Sequence, residues 1–152
     1  MLLQAGHWLG RGSLLAEGQS LGQGVSCDAE VTQDPDGYTV KAEIDIREVG
    51  ARALAVHIVA NDVGTYAITV RTLAETFTGT AKLDSAPNLG LLWNEDATTF
   101  ITFALFVVSE GYGFRGFLRD GKTTYTWEIA FSLQQDVVGA DNVILLANRR
   151  KR

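Results

Sequence analysis

A single cysteine, Cys27, and two histidines set the first limits on this 152-residue chain. One thiol forms no internal disulfide, and one cysteine with two histidines 50 positions apart makes no metal set. Positive charge is scarce: 13 Lys and Arg stand against 18 Asp and Glu, a formal net charge of −5. A phosphate-binding face needs the opposite balance, so no nucleic-acid partner is expected for the body of the chain. Its one basic run, Arg149-Arg150-Lys151-Arg152, reads as a solvated tail outside a single domain over residues 1–148. No apolar run is long enough for a membrane span; the longest, about Ile101 to Val108, has the length of a strand. The start, Met-Leu-Leu-Gln, lacks the charged and apolar regions of a signal peptide, so a cytoplasmic location is expected. Helical periodicity, solenoid-length repeats, nucleophile elbows and phosphate-cradling glycine loops are all missing.

What the chain does contain is alternation. Val25, Cys27, Ala29 and Val31 alternate with Ser26, Asp28, Glu30 and Thr32; Val40, Ala42, Ile44 and Ile46 alternate with Lys41, Glu43, Asp45 and Arg47. Asp34-Pro35-Asp36-Gly37 turns the chain between them. A four-residue loop pairs Val31 with Val40 and Val25 with Ile46, so the two apolar faces coincide. Ala53 to Ala60 and Thr65 to Thr72 form the next hairpin, with two registers open. One buries Leu54, Val56 and Ile58; the other buries Ala55, His57 and Val59 beside Tyr66. Weaker strands follow over Glu75 to Leu83 and Leu89 to Trp93. The glycine-dense Gly6 to Gly12 suits a strand that bends or approaches another backbone, and Ser13 to Glu17 reads as a separate short strand.

Three strands between Thr98 and Leu133 organise the rest. Glu110-Gly111 and Asp120-Gly121 read as the two hairpin loops, since glycine accepts the positive φ such turns use. That register pairs Val107 with Phe114 and Phe114 with Trp127. It places Phe103, Leu105, Phe114, Tyr125 and Trp127 on one face, with a gap at Gly116. Val143 to Ala147 reads as a closing strand. The sum is an all-β fold: an antiparallel up-and-down barrel of roughly 8–10 strands, closed so as to remove its edges.

Gly6-x-Trp8 at the head of such a barrel resembles the signature of the lipocalins and the wider calycin group. The resemblance implies that Trp8 packs at one barrel end and that the interior takes a small hydrophobic molecule. The longer Gly6-x-Trp8-x-Gly10-x-Gly12 is also similar to bacterial haem-binding barrels. Those ligate haem through a histidine near the C-terminus, and this sequence has none after His57. No cofactor is expected.

The expected ligand-binding residues are Phe103, Leu105, Phe114, Tyr125, Trp127, Trp93, Tyr66 and His57, around a small apolar or aromatic molecule. Gly79 and Gly116 are expected to leave room for it. Two alternatives stand beside binding: a cofactor-independent isomerase or cyclase in the same cavity, using one acid–base group turned inward from among His57, Tyr66 and Tyr125, and a structural dimerisation module with a filled barrel. On the opposite face Phe100, Ala104, Phe106 and Phe117 are apolar where an ordinary exterior is polar. A homodimer through them is expected, with Val137 to Ala147 folded back as the other possible cover.

Overall fold

The computed structural model describes residues 3–134. The strands are β1 (Gly6–Ala16), β2 (Gln23–Asp34), β3 (Gly37–Ile46), β4 (Gly50–Ala60), β5 (Tyr66–Thr72), β6 (Thr76–Lys82), β7 (Asn88–Asn94), β8 (Thr99–Val108), β9 (Gly111–Asp120) and β10 (Thr123–Gln134). Each pairs antiparallel with the next, and β10 returns to pair with β1, giving a closed ten-stranded barrel. Among the described residues there is no helix. Val143 to Ala147 lies outside the described residues. The described strands close on themselves: β10 pairs with β1 from Ala16↔Tyr125 to His7↔Gln134.

The β2–β3 hairpin has the register its alternation dictates, Val31↔Val40 through Val25↔Ile46. Between β4 and β5 the open choice resolves as Ile58↔Ile68 and Val56↔Val70, which turns Ile58 inward and His57 outward. β1 is one continuous strand, not two. Its glycines serve close approach: a Cβ on Gly12 would sit 1.8 Å from the carbonyl oxygen of Glu128, and one on Gly10 would meet the Phe131 ring at 2.6 Å.

Both expected loops on the aromatic side shift by one residue, and in opposite senses. The β8–β9 loop is Ser109-Glu110, so Leu105 faces Phe114 and Phe103 faces Gly116. The β9–β10 loop is Gly121-Lys122, so Trp127 faces Gly116 and Ile129 faces Phe114. Gly111 is a strand residue: its missing Cβ would lie 1.9 Å from the Phe131 carbonyl oxygen, so glycine is there to let β10 approach. Gly121 takes the positive φ, 47°. Each pairing moves by two residues, which leaves every side chain on its expected face because the strand period is two.

The two ends differ. At the end where β1 begins, Leu3, Trp8, Leu83, Tyr112 and Phe131 are all buried, Trp8 to 3% exposure. The Trp8 indole donates to the Gln4 carbonyl at 2.9 Å, and its ring lies 4.9 Å from that of Tyr112, which stacks on Phe131 at 5.1 Å. Trp8 thus packs at a barrel end. At the other end Asn94 orders the β7–β8 turn: its Oδ1 accepts from the Thr99 amide at 2.9 Å and its Nδ2 donates to Glu75 at 3.0 Å.

Outside, β2 and β3 present Asp28, Glu30, Lys41, Glu43 and Asp45, while the interior is apolar. That is the reverse of a lipid-spanning barrel, whose outer band is apolar and whose lumen is polar. No helix of the described residues is long and apolar enough to cross a membrane.

Candidate functional site: the barrel lumen

Five of the expected residues share the inner wall. Phe103, Leu105, Phe114, Tyr125 and Trp127 all point inward from β8, β9 and β10. Phe114 is their hub, with ring centroids 5.7 Å from Phe103, 5.5 Å from Trp127 and 6.3 Å from Phe131. Val107 belongs to the same parity but is 73% exposed, because β7 ends opposite Leu105 and leaves the tip of β8 overhanging the rim.

Of the other three, only Tyr66 keeps inward parity. His57 is on the outer face, its Nδ1 3.4 Å from the Thr39 hydroxyl. Trp93 is outward and 41% exposed, because Leu92 takes the inner position on β7. Tyr66 sits at the closed end, where its hydroxyl donates to Asp84 at 2.6 Å. That bond to a carboxylate pushes the phenol up to about 12.

Phe103, Trp127 and Phe131 each lie against a glycine on the neighbouring strand. A Cβ on Gly90 would stand 2.2 Å from Phe103, one on Gly116 2.7 Å from Trp127, and one on Gly10 2.6 Å from Phe131. The gap expected at Gly116 is therefore filled by the indole, and Gly79 leaves no room either, since its Cβ would meet the Leu91 carbonyl oxygen at 1.9 Å. Val40, Ile44, Val56, Val70, Ile101 and Phe103 point inward yet remain only part-buried. Ten strands also enclose more than the eight that side chains just fill.

The lumen is almost without charge. Between the rims no charged side chain of the described residues takes an inward position; Arg52 and Asp120, of inward parity, sit exposed at the open end. Two buried inward groups, Cys27 and Tyr112, are held neutral. Burial and the Asp28 carboxylate push the Cys27 thiol up to about 11, and burial raises the Tyr112 phenol further. Among the described residues, three buried side-chain polar atoms have no hydrogen-bond partner: Trp127 Nε1, Gln23 Oε1 and Asn88 Oδ1. Sequence reasoning missed two of these residues. Gln23 continues the parity of Val25 and Cys27, a signal that was present. Asn88 follows Pro87 at the head of β7, where no parity was established.

Outside the lumen, a depression of about 940 Å³ crosses β1 to β5, floored by Ala53 and Ala55 and edged by Asp28, Glu30, Lys41 and Arg71. His7 borders it, 2.7 Å from Asp28. No group of three or more metal-ligating side chains occurs among the described residues, there or in the lumen.

Fold and lumen together define a class: a closed, ten-stranded antiparallel meander barrel with an apolar, aromatic-walled interior. The chain matches no family model, and no similar curated protein or solved structure was found.

Proposed function

We propose that this protein binds a small hydrophobic or aromatic molecule inside the barrel, as the calycin-type barrels that Gly6-x-Trp8 resembles do. The observation that carries this reading is the flat placement of Phe103, Trp127 and Phe131 over Gly90, Gly116 and Gly10. A barrel meant only to be filled gains most by sending large rings to its axis, since burial is worth about 25 cal/mol per Å² of apolar surface. Here glycines keep the rings on the wall, and an apolar ligand would recover that burial. The test is an environment-sensitive apolar dye. It should bind with a blue-shifted emission, and Trp127→Ala should change its affinity. Absence of binding, or binding indifferent to every lumen substitution, would remove the reading.

Catalysis is the weaker alternative. A cofactor-independent isomerase needs an acid–base group that titrates near neutrality against its substrate. Among the described inward residues, Cys27 and Tyr112 are pushed away from that range, and His57 is outside. We keep the cytoplasm as the proposed location, on the single unpaired thiol.

A second reading concerns the exterior, and a separate observation favours it. On β7 to β9, Trp93, Phe106 and Phe117 are 41%, 37% and 38% exposed, and Phe100 meets Phe117 edge-on at 6.1 Å. Arg115 lies 5.0 Å over the Phe106 ring and pairs with Glu128 at 2.7 Å. We propose that a second copy of the chain covers this face. Both charge signs stand beside the apolar patch, as a self-complementary two-fold contact requires. Phe106→Glu with Phe117→Glu should yield a folded monomer by sedimentation; an unmodified protein already monomeric at tens of micromolar would end the idea. The fold-back cover, Val137 to Ala147, lies outside the described residues.

A further inference from the structure

The polar atoms stranded inside the barrel carry information about the ligand. We infer that the lumen selects an uncharged molecule with an aromatic body, which accepts a hydrogen bond from Trp127 Nε1 and donates one to Gln23 Oε1. The inference rests on the lumen-binding reading above and narrows it.

Neither atom has a partner among the described residues, and neither is open to water. A buried polar group in that state costs about 1–3 kcal/mol, so a native barrel holding two on one wall needs a reason for them. The protein itself has little to offer either. Wall carbonyls and amides point along the sheet into the ladder, and the neighbouring inward side chains are apolar. Trp127 is fixed by its ring: the Cζ2 edge, which adjoins Nε1, rests against Gly116. Phe114, 5.5 Å from the Trp127 ring, and Phe103, 5.7 Å from Phe114, supply ring faces beside it for a planar ligand. Gln23 lies at the same level across β1, because Leu14 is the Cα partner of both Trp127 and Gln23. Two strand spacings separate them, roughly 10 Å at the backbone. That spacing suits polar groups at opposite ends of a fused two-ring body better than one group serving both.

The absence of inward charge sets the third condition. An ionised ligand would lose its hydration with no counter-charge between the rims to replace it. The third stranded atom, Asn88 Oδ1, belongs to the closed end, where Asn88 faces Leu105, and is no part of this contact.

Four naphthalene probes test the inference by competition with the bound dye: naphthalene, acetylnaphthalene, hydroxyacetylnaphthalene with its two groups at opposite ends, and naphthoate. Acetylnaphthalene should bind about five-fold more tightly than naphthalene, one net hydrogen bond, and the hydroxyl should add a similar factor. Naphthoate should bind most weakly. Trp127→Phe should abolish the acetyl advantage and Gln23→Leu the hydroxyl advantage, each read as the ratio of probe affinities within the same variant. Equal affinities across the three neutral probes in the unmodified protein overturn the inference and leave lumen binding intact, the stranded atoms then being served by water. Failure of every probe and of the dye overturns the lumen reading itself.

Discussion

Gly90→Ala is the sharpest perturbation of the lumen wall. The new methyl would stand 2.2 and 2.3 Å from Cζ and Cε1 of Phe103. No backbone atom is among its nearest neighbours, unlike at Gly116, where the Thr102 carbonyl oxygen would be 2.3 Å away. The Phe103 ring must therefore swing off the wall towards the axis while the strand stays in place. Overpacking of this kind costs about 1–3 kcal/mol. Against it, alanine restricts the unfolded chain and returns about 0.4–1 kcal/mol. A net destabilisation of about 1–2 kcal/mol should appear in urea unfolding followed by circular dichroism, or as a drop of about 3–6 °C in Tm. The displaced ring also enters the space a ligand needs, so dye affinity should fall several-fold. Phe103→Leu supplies the control. With the ring gone, adding Gly90→Ala should cost much less than it does alone, a coupling of about 1 kcal/mol or more in the double-mutant cycle. If Gly90→Ala is as stable as the parent and binds dye unchanged, the ring does not lie over the glycine and the account of the lumen fails.

Other consequences are simpler to state. The Cys27 thiol is held up at about 11 in the barrel against an ordinary value of 9.0, so the unfolded chain releases its proton first. That contribution to stability is intact below pH 9 and is lost as the pH rises towards about 11; Cys27→Ala should flatten this alkaline decline in urea midpoints, and an unchanged slope would contradict it. His57→Ala removes only an exposed outer-face group, so dye affinity should stay within about two-fold and stability within about 0.5 kcal/mol. Arg115→Ala leaves the Glu128 carboxylate in water, and since an exposed pair is worth about 0–1 kcal/mol, calorimetry should show little loss of monomer stability. Trp8→Ala empties the closed end and should cost about 3–5 kcal/mol by urea unfolding; a mild effect would mean the plug at that end is not Trp8.

Some of this was legible in the sequence, for identifiable reasons. The β2–β3 hairpin was readable in full because both strands alternate without a break and the turn chemistry fixes their offset. The inner aromatic wall was readable even though both of its loops were misplaced, since an even shift preserves every face. The loops themselves misled because glycine has two uses. Gly121 serves the turn, but Gly111 serves close approach to Phe131 of β10, a strand far away in sequence. No local pattern distinguishes the two. Trp93 was misread because its strand offers apolar residues on both faces, Leu89 and Leu91 outward against Leu92 inward, so hydrophobicity alone carries no phase. His57 sits in a similar run, between Val56 and Ile58, and its orientation depended on pairing with β5.

One device recurs on both surfaces of the sheet and ties these points together. Inside, Phe103 and Trp127 lie over Gly90 and Gly116; outside, Phe106 lies over Gly113, whose Cβ would be 2.2 Å from the ring. A glycine deep in a strand is weak on propensity, and an aromatic side chain laid across it restores the lost contact. The same act flattens the wall. On the inner surface flatness would give the proposed ligand room; on the outer surface it would lower the relief that keeps a second sheet away. Two sheets pack about 10 Å apart when their facing side chains are low and apolar, as Phe100, Ala104, Phe106 and Phe117 are here. The glycines of β7 and β9 therefore shape both proposed contacts, and Gly113→Ala should disturb self-association as Gly90→Ala disturbs the lumen, each without touching the other surface.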